Sequence, residues 1–516
     1  MKKILIAILV AITFTNCSDS FLDKASLTDI AENNFWTSEA DAFLALNAVY
    51  STLQAKALYG GHINAYQGFP GFDNLSDNAY NQYEWEGPGQ FMEGTLLPTH
   101  GMISGNWNNL YQGISRVNAV IKNVETISTD LVSLETKDAL LGQAYFLRAL
   151  LYFNVAVYYE DAPLITEPQT LADAFVPKNT YAEITSQVIT DLKLAIANLP
   201  VSHPSSLYGY ATKGAALGLM ARVQLYNKQY DGEFGVLDVT NQAMALGYSL
   251  HSNYAELFSE AGEESREIVF SVRFLRGDGT NNGETFSATY AGSPKIDQRP
   301  MANLVKDFYC TDGKPITSSP LYTPSNQKLN RDPRALATIY FNGDIYYTNP
   351  VRTFTTGGSP TGYGQKKYIR TGPDAEGNAS FGEGSQDFYV IRYADVLLMR
   401  AEAMAETGDV SGAAALVNMV RARVNMPSVE AVEGAVNQSQ MIAIVRHERR
   451  VELAMEGLRF MDLKRWGKME EGFQRADLDP VGPYAPNYLG AKSAVFPIPQ
   501  SEIDVNPKLV QHPAWQ

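Results

Sequence analysis

The segment between Tyr59 and Gly105 concentrates flat aromatic rings and short polar side chains. Sugars present apolar C–H faces that stack on aromatic rings, and hydroxyl groups that bond to Asp, Asn and Arg side chains. Such residues usually lie on loops held by a rigid scaffold. We interpret the segment as a candidate binding loop; the alternative is that its rings pack a small core of their own. The residues concerned are Tyr66, Phe69, Phe72, Asp73, Asn74, Asp77, Asn78, Tyr80, Asn81, Tyr83 and Trp85.

The sequence matches three common catalytic motifs only in part, because each lacks a residue at the required spacing. His447-Glu448 begins like the helix of a zinc protease, but Val451 stands where the second metal-binding His is needed. The run 357–361 lacks the closing Gly of a nucleophile elbow. The Gly-Lys pairs at 313 and 467 lack the earlier Gly of a phosphate-binding loop. The alternative of a glycoside hydrolase stays open, because its two carboxylates need not be close in sequence.

The helix around His447 is expected to be structural. Its arginines favour ion pairs, with Arg449 bonding to Glu452 one turn on, while Arg459 and Asp462 tie the helix to its neighbours.

No cofactor is expected. The run Asp278–Glu284 is rich in oxygen ligands of the kind that hold calcium, so a structural calcium ion is an alternative there, but the run lacks EF-hand spacing. A solvated turn is the favoured interpretation.

The N-terminus resembles an export signal. Two lysines at positions 2 and 3 precede the apolar run Ile4–Phe14, which is shorter than the roughly 20 residues that span a bilayer. Cys17 follows closely, at the position where bacterial lipoproteins are cleaved and acylated. We predict a signal peptide at 1–16 and lipidation of Cys17, which would hold the chain on a membrane by its lipid alone. The alternative is a plain secreted protein.

Composition excludes two classes of protein. A net charge of −15 argues against a non-specific nucleic-acid binder, which needs a basic surface. Two cysteines, Cys17 and Cys310, are too few for a disulfide scaffold or a Cys-rich zinc site. We expect Cys310 to be a small buried apolar residue.

Apolar residues at spacings of three and four predict a mainly α fold. Two helix pairs combine small contact residues, a Gly turn and an Ala-rich second helix, as in tetratricopeptide repeats, and such pairs form a curved stack. Leu134–Tyr159 is apolar on nearly all sides and should lie between other helices, and we expect no segment beyond the signal to cross a membrane. The predicted helices are Glu39–Leu53, Trp107–Val124, Leu134–Tyr159, Tyr181–Leu199, Thr212–Asn227, Gly235–Leu246, Tyr393–Thr407 and Val410–Arg423.

Residues 262–385 interrupt the helical pattern with Gly, Pro, Asn, Ser and Tyr. Only Glu267–Phe274 alternates clearly like a strand. We predict a loop-rich insert with a few short strands between helical parts at 17–261 and 386–516, all within one domain at 17–516.

Several motifs in order along the chain resemble the SusD/RagB family of outer-membrane lipoproteins. The most specific is RYADVLLMRAEA at 392–403. The others are Cys17–Asp23, Asn34–Trp36, Ala45–Tyr50, Trp107–Tyr111, Arg116–Asn118, Gln143–Ala149, Glu448–Leu453, Glu456–Arg459, Asp462–Trp466, Pro497–Pro499, Asn506–Pro507 and Gln511–Pro513.

The resemblance implies four tetratricopeptide-like helix pairs that support loop-built ligand sites. It also implies a surface-exposed, non-catalytic lipoprotein of the outer membrane that binds oligo- or polysaccharide and delivers it to a SusC-type TonB-dependent transporter. A RagB-like protein of the same fold that captures peptides is the first alternative. A tetratricopeptide adaptor that grips a protein partner is a further one.

The resemblance also selects site residues. It places the other tryptophans of the mature chain in scaffold motifs or the C-terminal tail, so Trp85 is the predicted stacking platform, with Tyr83 and Tyr80 beside it. Asp77 and Asn78 are the predicted hydroxyl partners. The insert is expected to add Tyr290 and Arg299.

Overall fold

The computed structural model describes residues 35–61, 68–81, 83, 85–276, 283–287, 298–348, 351–370, 383–477 and 486–516. The predicted signal peptide, Cys17 and Tyr290 lie outside these residues, as do positions 278–282 of the calcium candidate.

Helices dominate both ends of the described chain. Each helix predicted from periodicity forms, most within one or two residues of the expected bounds; the second predicted helix starts six residues earlier, at Gly101. In chain order the α-helices are α1 (Glu39–Leu53), α2 (Gly87–Glu93), α3 (Gly101–Thr126), α4 (Leu134–Tyr159), α5 (Tyr181–Asn198), α6 (Lys213–Tyr226), α7 (Val236–Met244), α8 (Tyr254–Leu257), α9 (Ala302–Asp307), α10 (Pro333–Thr338), α11 (Tyr393–Glu406), α12 (Val410–Arg423), α13 (Val429–Glu433), α14 (Gln438–Glu452), α15 (Arg459–Arg465), α16 (Met469–Arg475) and α17 (Gln500–Val505).

Local capping sets several helix starts. Thr180 and Glu183 form a capping box at the start of α5, and Asn437 and Gln440 form another at α14, so each side chain satisfies an N–H group that the first turn leaves free. Ser38 caps α1 in the same sense.

The helices form one continuous stack. Helix α3 packs between α1 and α4, α5 joins α4 to α6, and α7 joins α6 to α11, which packs in turn on α12 and α14. Successive pairs therefore bury each other's apolar faces, which confirms the predicted mainly α stack of tetratricopeptide-like pairs.

Helix α4 lies at the centre of this stack. It is the one helix of the described residues whose length and composition would suit a membrane span, contrary to our expectation that no such segment exists. Because 94% of its apolar window is buried within the protein, it is a core helix, as its all-round apolar pattern predicted.

The described chain also contains four short antiparallel strand pairs. The predicted strand Glu267–Phe274 forms as Ile268–Val272 and pairs with Phe388–Arg392, so the two ends of the insert are held side by side. The strands are β1 (Ala79–Asn81), β2 (Ile268–Val272), β3 (Gln298–Pro300), β4 (Ile339–Tyr340), β5 (Ile345–Thr348), β6 (Val351–Thr353), β7 (Gly364–Gln365) and β8 (Phe388–Arg392), paired as β1–β3, β2–β8, β4–β7 and β5–β6.

Buried ion pairs join α14 to the surrounding elements. Glu452 bonds to Arg392 on β8 and to Arg423 at the end of α12. Arg449 therefore does not pair with Glu452, as we predicted, but with Asp395 and Asp462 on neighbouring helices. The structural role predicted for this motif is confirmed and its expected intrahelical pair is wrong, because the glutamate faces other arginines.

Candidate functional site

The most exposed aromatic ring in the described part of the chain is that of Trp85. Its side chain is 64% exposed, and it lies in the turn between β1 and α2. The half-buried ring of Tyr83 lies beside it, with centroids 4.6 Å apart and planes at 42°. Exposing a large ring to water is unfavourable, and the uncovered ring of Trp85 makes this turn the candidate binding site.

Backbone contacts hold this aromatic pair in place. The amide of Asn81 donates to the carbonyl of Tyr83 at 2.7 Å and to the carboxylate of Glu86 at 3.1 Å. The N–H of Glu86 also donates to the carbonyl of Tyr83, and the ring of His100 lies 3.2 Å from the carbonyl of Trp85. These contacts hold the backbone at Tyr83 and Trp85, and holding a binding residue in place lowers the entropy lost when a ligand binds.

Strand β1 pairs Tyr80 with Arg299 on β3. Tyr80 is half-buried, whereas Arg299 is fully buried. The prediction that Arg299 contributes to the ligand site is corrected, because a guanidinium with no exposed surface does not reach a ligand.

Asp77 and Asn78 also lie in the interior. The Asp77 carboxylate accepts from Arg459 at 2.7 and 3.0 Å and pairs with Arg450 at 3.0 Å. Asn78 accepts from Arg450 at 3.0 Å and donates to Asp73 at 2.7 Å. Both side chains are thus saturated by buried partners, and the prediction that they bind hydroxyl groups is corrected to a scaffold role.

Electrostatics agree with that role for Asp77. Burial alone would raise the pKa of its carboxyl, but the guanidinium groups of Arg450 and Arg459 outweigh burial and hold the pKa well below its usual range. The carboxylate therefore stays charged and paired.

Phe69 and Phe72 are buried as well, but in the main core rather than in a small core of the segment's own. Phe69 stacks on Tyr158 of α4 at 5.3 Å, and Phe72 meets Phe496 edge-on at 5.8 Å. These rings anchor the segment in the helical stack, while Tyr66 lies outside the described residues.

Sequence reasoning missed a polar cleft in the insert. It encloses about 340 Å³ and combines amide side chains with the rings of Phe341 and Tyr363. Only the richness of the insert in Asn, Gly and Tyr pointed toward it. Its amides are those of Asn326, Gln327 and Asn342.

Within the described ranges, no group of three His, Cys, Asp or Glu side chains is placed to hold a metal ion. Glu284, the last residue of the calcium candidate, is buried and accepts from the hydroxyl and N–H of Ser287. Cys310 is buried with a free thiol, as predicted.

Two family models match the chain. The model described as the SusD family matches residues 266–515, and the one described as "Starch-binding associating with outer membrane" matches residues 20–225. A SusD-like protein of Formosa agariphila is 27% identical over 531 residues, which cover 98% of this chain and 97% of that protein.

Solved structures are similar over nearly their whole length. A SusD-like carbohydrate binding protein of Bacteroides fragilis is 29% identical, with a TM-score of 0.77 over 92% of this chain and 100% of that chain. A laminarin binding SusD-like protein is 26% identical, with a TM-score of 0.72 over 92% of this chain and 99% of that chain. The helical stack, the order of the motifs and these matches agree, and the chain belongs to the SusD family.

Proposed function

We propose that this protein binds glycans at the outer membrane through the ring of Trp85. The observation that carries the proposal is the exposure of that ring, 64%, beside Tyr83 on a loop fixed by Asn81. The exposed indole face of Trp85 suits the C–H face of a sugar and leaves its hydroxyls to surrounding polar groups. The carbohydrate binding and laminarin binding relatives support the same ligand class.

The test is calorimetry with the mature chain and a panel of neutral oligosaccharides that includes β-glucan and starch fragments. Trp85→Ala should weaken binding of the preferred glycan by about tenfold or more, since an aromatic contact contributes one to a few kcal/mol. Phe175→Ala is the matched control, because that ring is also 45% exposed but lies between α4 and α5. Equal affinity of the Trp85→Ala variant and the parent would remove Trp85 from the site.

Calorimetry with a panel of peptides tests the alternative that the protein captures peptides. Binding of peptides, with no glycan bound at millimolar concentration, would replace the glycan proposal with peptide capture.

We propose that the protein is anchored by a lipid on Cys17 and exposed at the cell surface. The family model named for outer-membrane association supports this location. Cys17→Ala should move the protein from the membrane pellet to the soluble fraction, and protease added to intact cells should cleave the lipidated parent. Retention of the variant in the pellet would contradict the anchor.

The proposed role is delivery rather than turnover. We infer that the protein passes its glycan to a SusC-type TonB-dependent transporter, which performs the import. Affinity purification from detergent-solubilised outer membranes should recover such a transporter. Incubation of the purified protein with its glycan should release no new reducing ends, and steady release would identify a hydrolase instead.

A further inference from the structure

A cavity of about 420 Å³ lies between α14, α15 and α16, and five of its thirteen lining residues are Lys or Arg. We call it the basic pocket. Five cationic residues border it against the two carboxylates of Asp307 and Glu471. The five are Arg446, Arg450, Arg459, Lys468 and Arg475.

This concentration of positive charge contrasts with the whole chain, whose net charge is −15. Asp77, which is buried behind the pocket, neutralises part of this positive charge through its ion pairs with Arg450 and Arg459. Asp307 accepts from Arg450 and, at 2.7 Å, from Arg475. Cations still outnumber carboxylates after these pairs are made.

The pairing pattern shows which donors remain for a ligand. Arg450 directs its N–H groups to Asn78, Asp307 and Asp77, so it is saturated. Arg446 donates from Nη2 to the carboxylate of Glu406 at 3.2 Å, but its buried Nε–H has no hydrogen-bond partner among the residues that the structure describes. An unsatisfied buried donor is costly, and a bound acceptor at this N–H would remove that cost.

Two further cations reach the opening. The side chain of Arg475 is 38% exposed and that of Lys468 is 48% exposed. Lys468 pairs at 2.7 Å with Glu471, whose side chain is 51% exposed. Exposed pairs of this kind are weak and exchange easily for another anion.

We propose that the basic pocket binds an oxyanion, a sulfate, phosphate or carboxylate group, through Arg446, Lys468 and Arg475. Guanidinium groups present paired N–H donors that match the geometry of such oxyanions. The ring of Trp466 borders the pocket, but Arg446 and Arg465 lie over it with their charge centres 4.9 and 4.8 Å from its centroid. Recognition is therefore electrostatic rather than by stacking.

The oxyanion has two possible sources, a free inorganic ion or an acidic substituent on a saccharide. The pocket is larger than a bare sulfate needs and falls in the size range of small-molecule sites. The proposal does not rest on glycan binding at Trp85, since the two sites share none of their residues.

The test is calorimetry of the mature chain at low ionic strength with sodium sulfate, sodium phosphate, and matched oligosaccharides with and without sulfate or uronic acid groups. Binding should weaken about tenfold or more in Arg446→Gln and in Lys468→Gln, because each removes a charge-assisted hydrogen bond. Lys122→Gln, an exposed charge change on α3, should bind like the parent, and so should Trp85→Ala toward the free ions.

Lys468→Gln keeps the test valid if Arg446→Gln fails to fold, because Lys468 lies at the rim. Tighter binding of the acidic saccharide than of the free ion identifies the substituent as the source, and the reverse identifies the ion. No binding of any oxyanion, or equal loss in Lys122→Gln and in the pocket variants, would overturn the proposal.

Discussion

Asp77 and Arg459 are joined by two hydrogen bonds, 2.7 and 3.0 Å long, across 382 positions of sequence. The pair connects the segment that carries the aromatic loop to α15 near the other end of the chain. The segment that leads to Trp85 is therefore held by contacts made near the C-terminal end of the chain.

Removing the charge of Asp77 should destabilise the fold. Asp77→Ala removes the carboxylate that Arg459 bonds to and leaves Arg450 with the carboxylate of Asp307, and breaking a buried pair in this way costs about 3–5 kcal/mol. Urea denaturation followed by circular dichroism measures the free energy of unfolding. Asp130→Ala, at an exposed turn, should change it by less than about 0.5 kcal/mol. A similar small change for both variants would show that the buried pair contributes little.

Removing the Asn81 side chain, which holds the loop of Tyr83 and Trp85, should lower the affinity for glycan. Asn81→Ala deletes the amide that bonds to the carbonyl of Tyr83 and to Glu86, so the rings of Tyr83 and Trp85 should become less ordered. We expect glycan affinity to fall about threefold to tenfold by calorimetry, although both rings remain. Asn123→Ala, whose amide bonds only within α3, is the control and should bind normally.

Alanine substitutions at two glycines distinguish the cost of backbone strain from the cost of a steric clash. Gly457 and Gly343 both have positive φ, 75° and 82°, so Ala at either position loses about 1–2 kcal/mol of stability. A Cβ at Gly457 would also lie 2.2 Å from the carbonyl oxygen of Phe69, whereas no heavy atom lies within 4 Å of a Cβ at Gly343. Thermal denaturation should therefore show a clearly larger loss for Gly457→Ala than for Gly343→Ala, and equal losses would contradict the close approach of Phe69 to Gly457.

Glu263 should make stability depend on pH. Burial, reinforced by the carboxylate of Asp387, raises the pKa of Glu263 to about 8 from an ordinary value of 4.5. The folded state then binds this proton more tightly than the unfolded state, so its stabilising contribution is complete below about pH 4.5 and is lost as the pH rises to 8.

Glu263→Gln should remove that dependence and keep an oxygen acceptor for the N–H of Asp387. At pH 5 the variant should match the parent, and at pH 8 it should be more stable by about 1–2 kcal/mol after allowance for partial solvation. Urea denaturation at both pH values measures this. The exposed neighbour Glu264 supplies the control, Glu264→Gln, which should follow the parent at each pH.

Most helices could be predicted because their signals are local. Ala42, Leu46, Val49 and Leu53 are spaced to one face of α1, and each is buried in the structure. The all-round apolar pattern of α4 likewise predicted its central position.

The buried polar contacts could not be predicted, because they depend on distant partners. Nothing near Asp77 in sequence distinguishes a carboxylate that meets a sugar from one that meets Arg459. The prediction for Arg299 fails in the same way, since its burial depends on parts of the chain distant in sequence, such as β1, with which β3 pairs. Trp85 remains a prediction that only binding measurements will test.

The pairing of β2 with β8 has a consequence for how this protein diversifies. Because Ile268 faces Arg392 across that ladder, everything between the two strands departs from and returns to nearly one point on the helical stack. That stretch is nevertheless tied to α14 and the turn after it by buried ion pairs, since Arg334 bonds to Glu448 and Glu452 and Lys367 bonds to Glu456. Selection can thus remodel the stretch only where these pairs are kept, and a protein engineer who transplants it must carry Arg334, Lys367 and their partners with it.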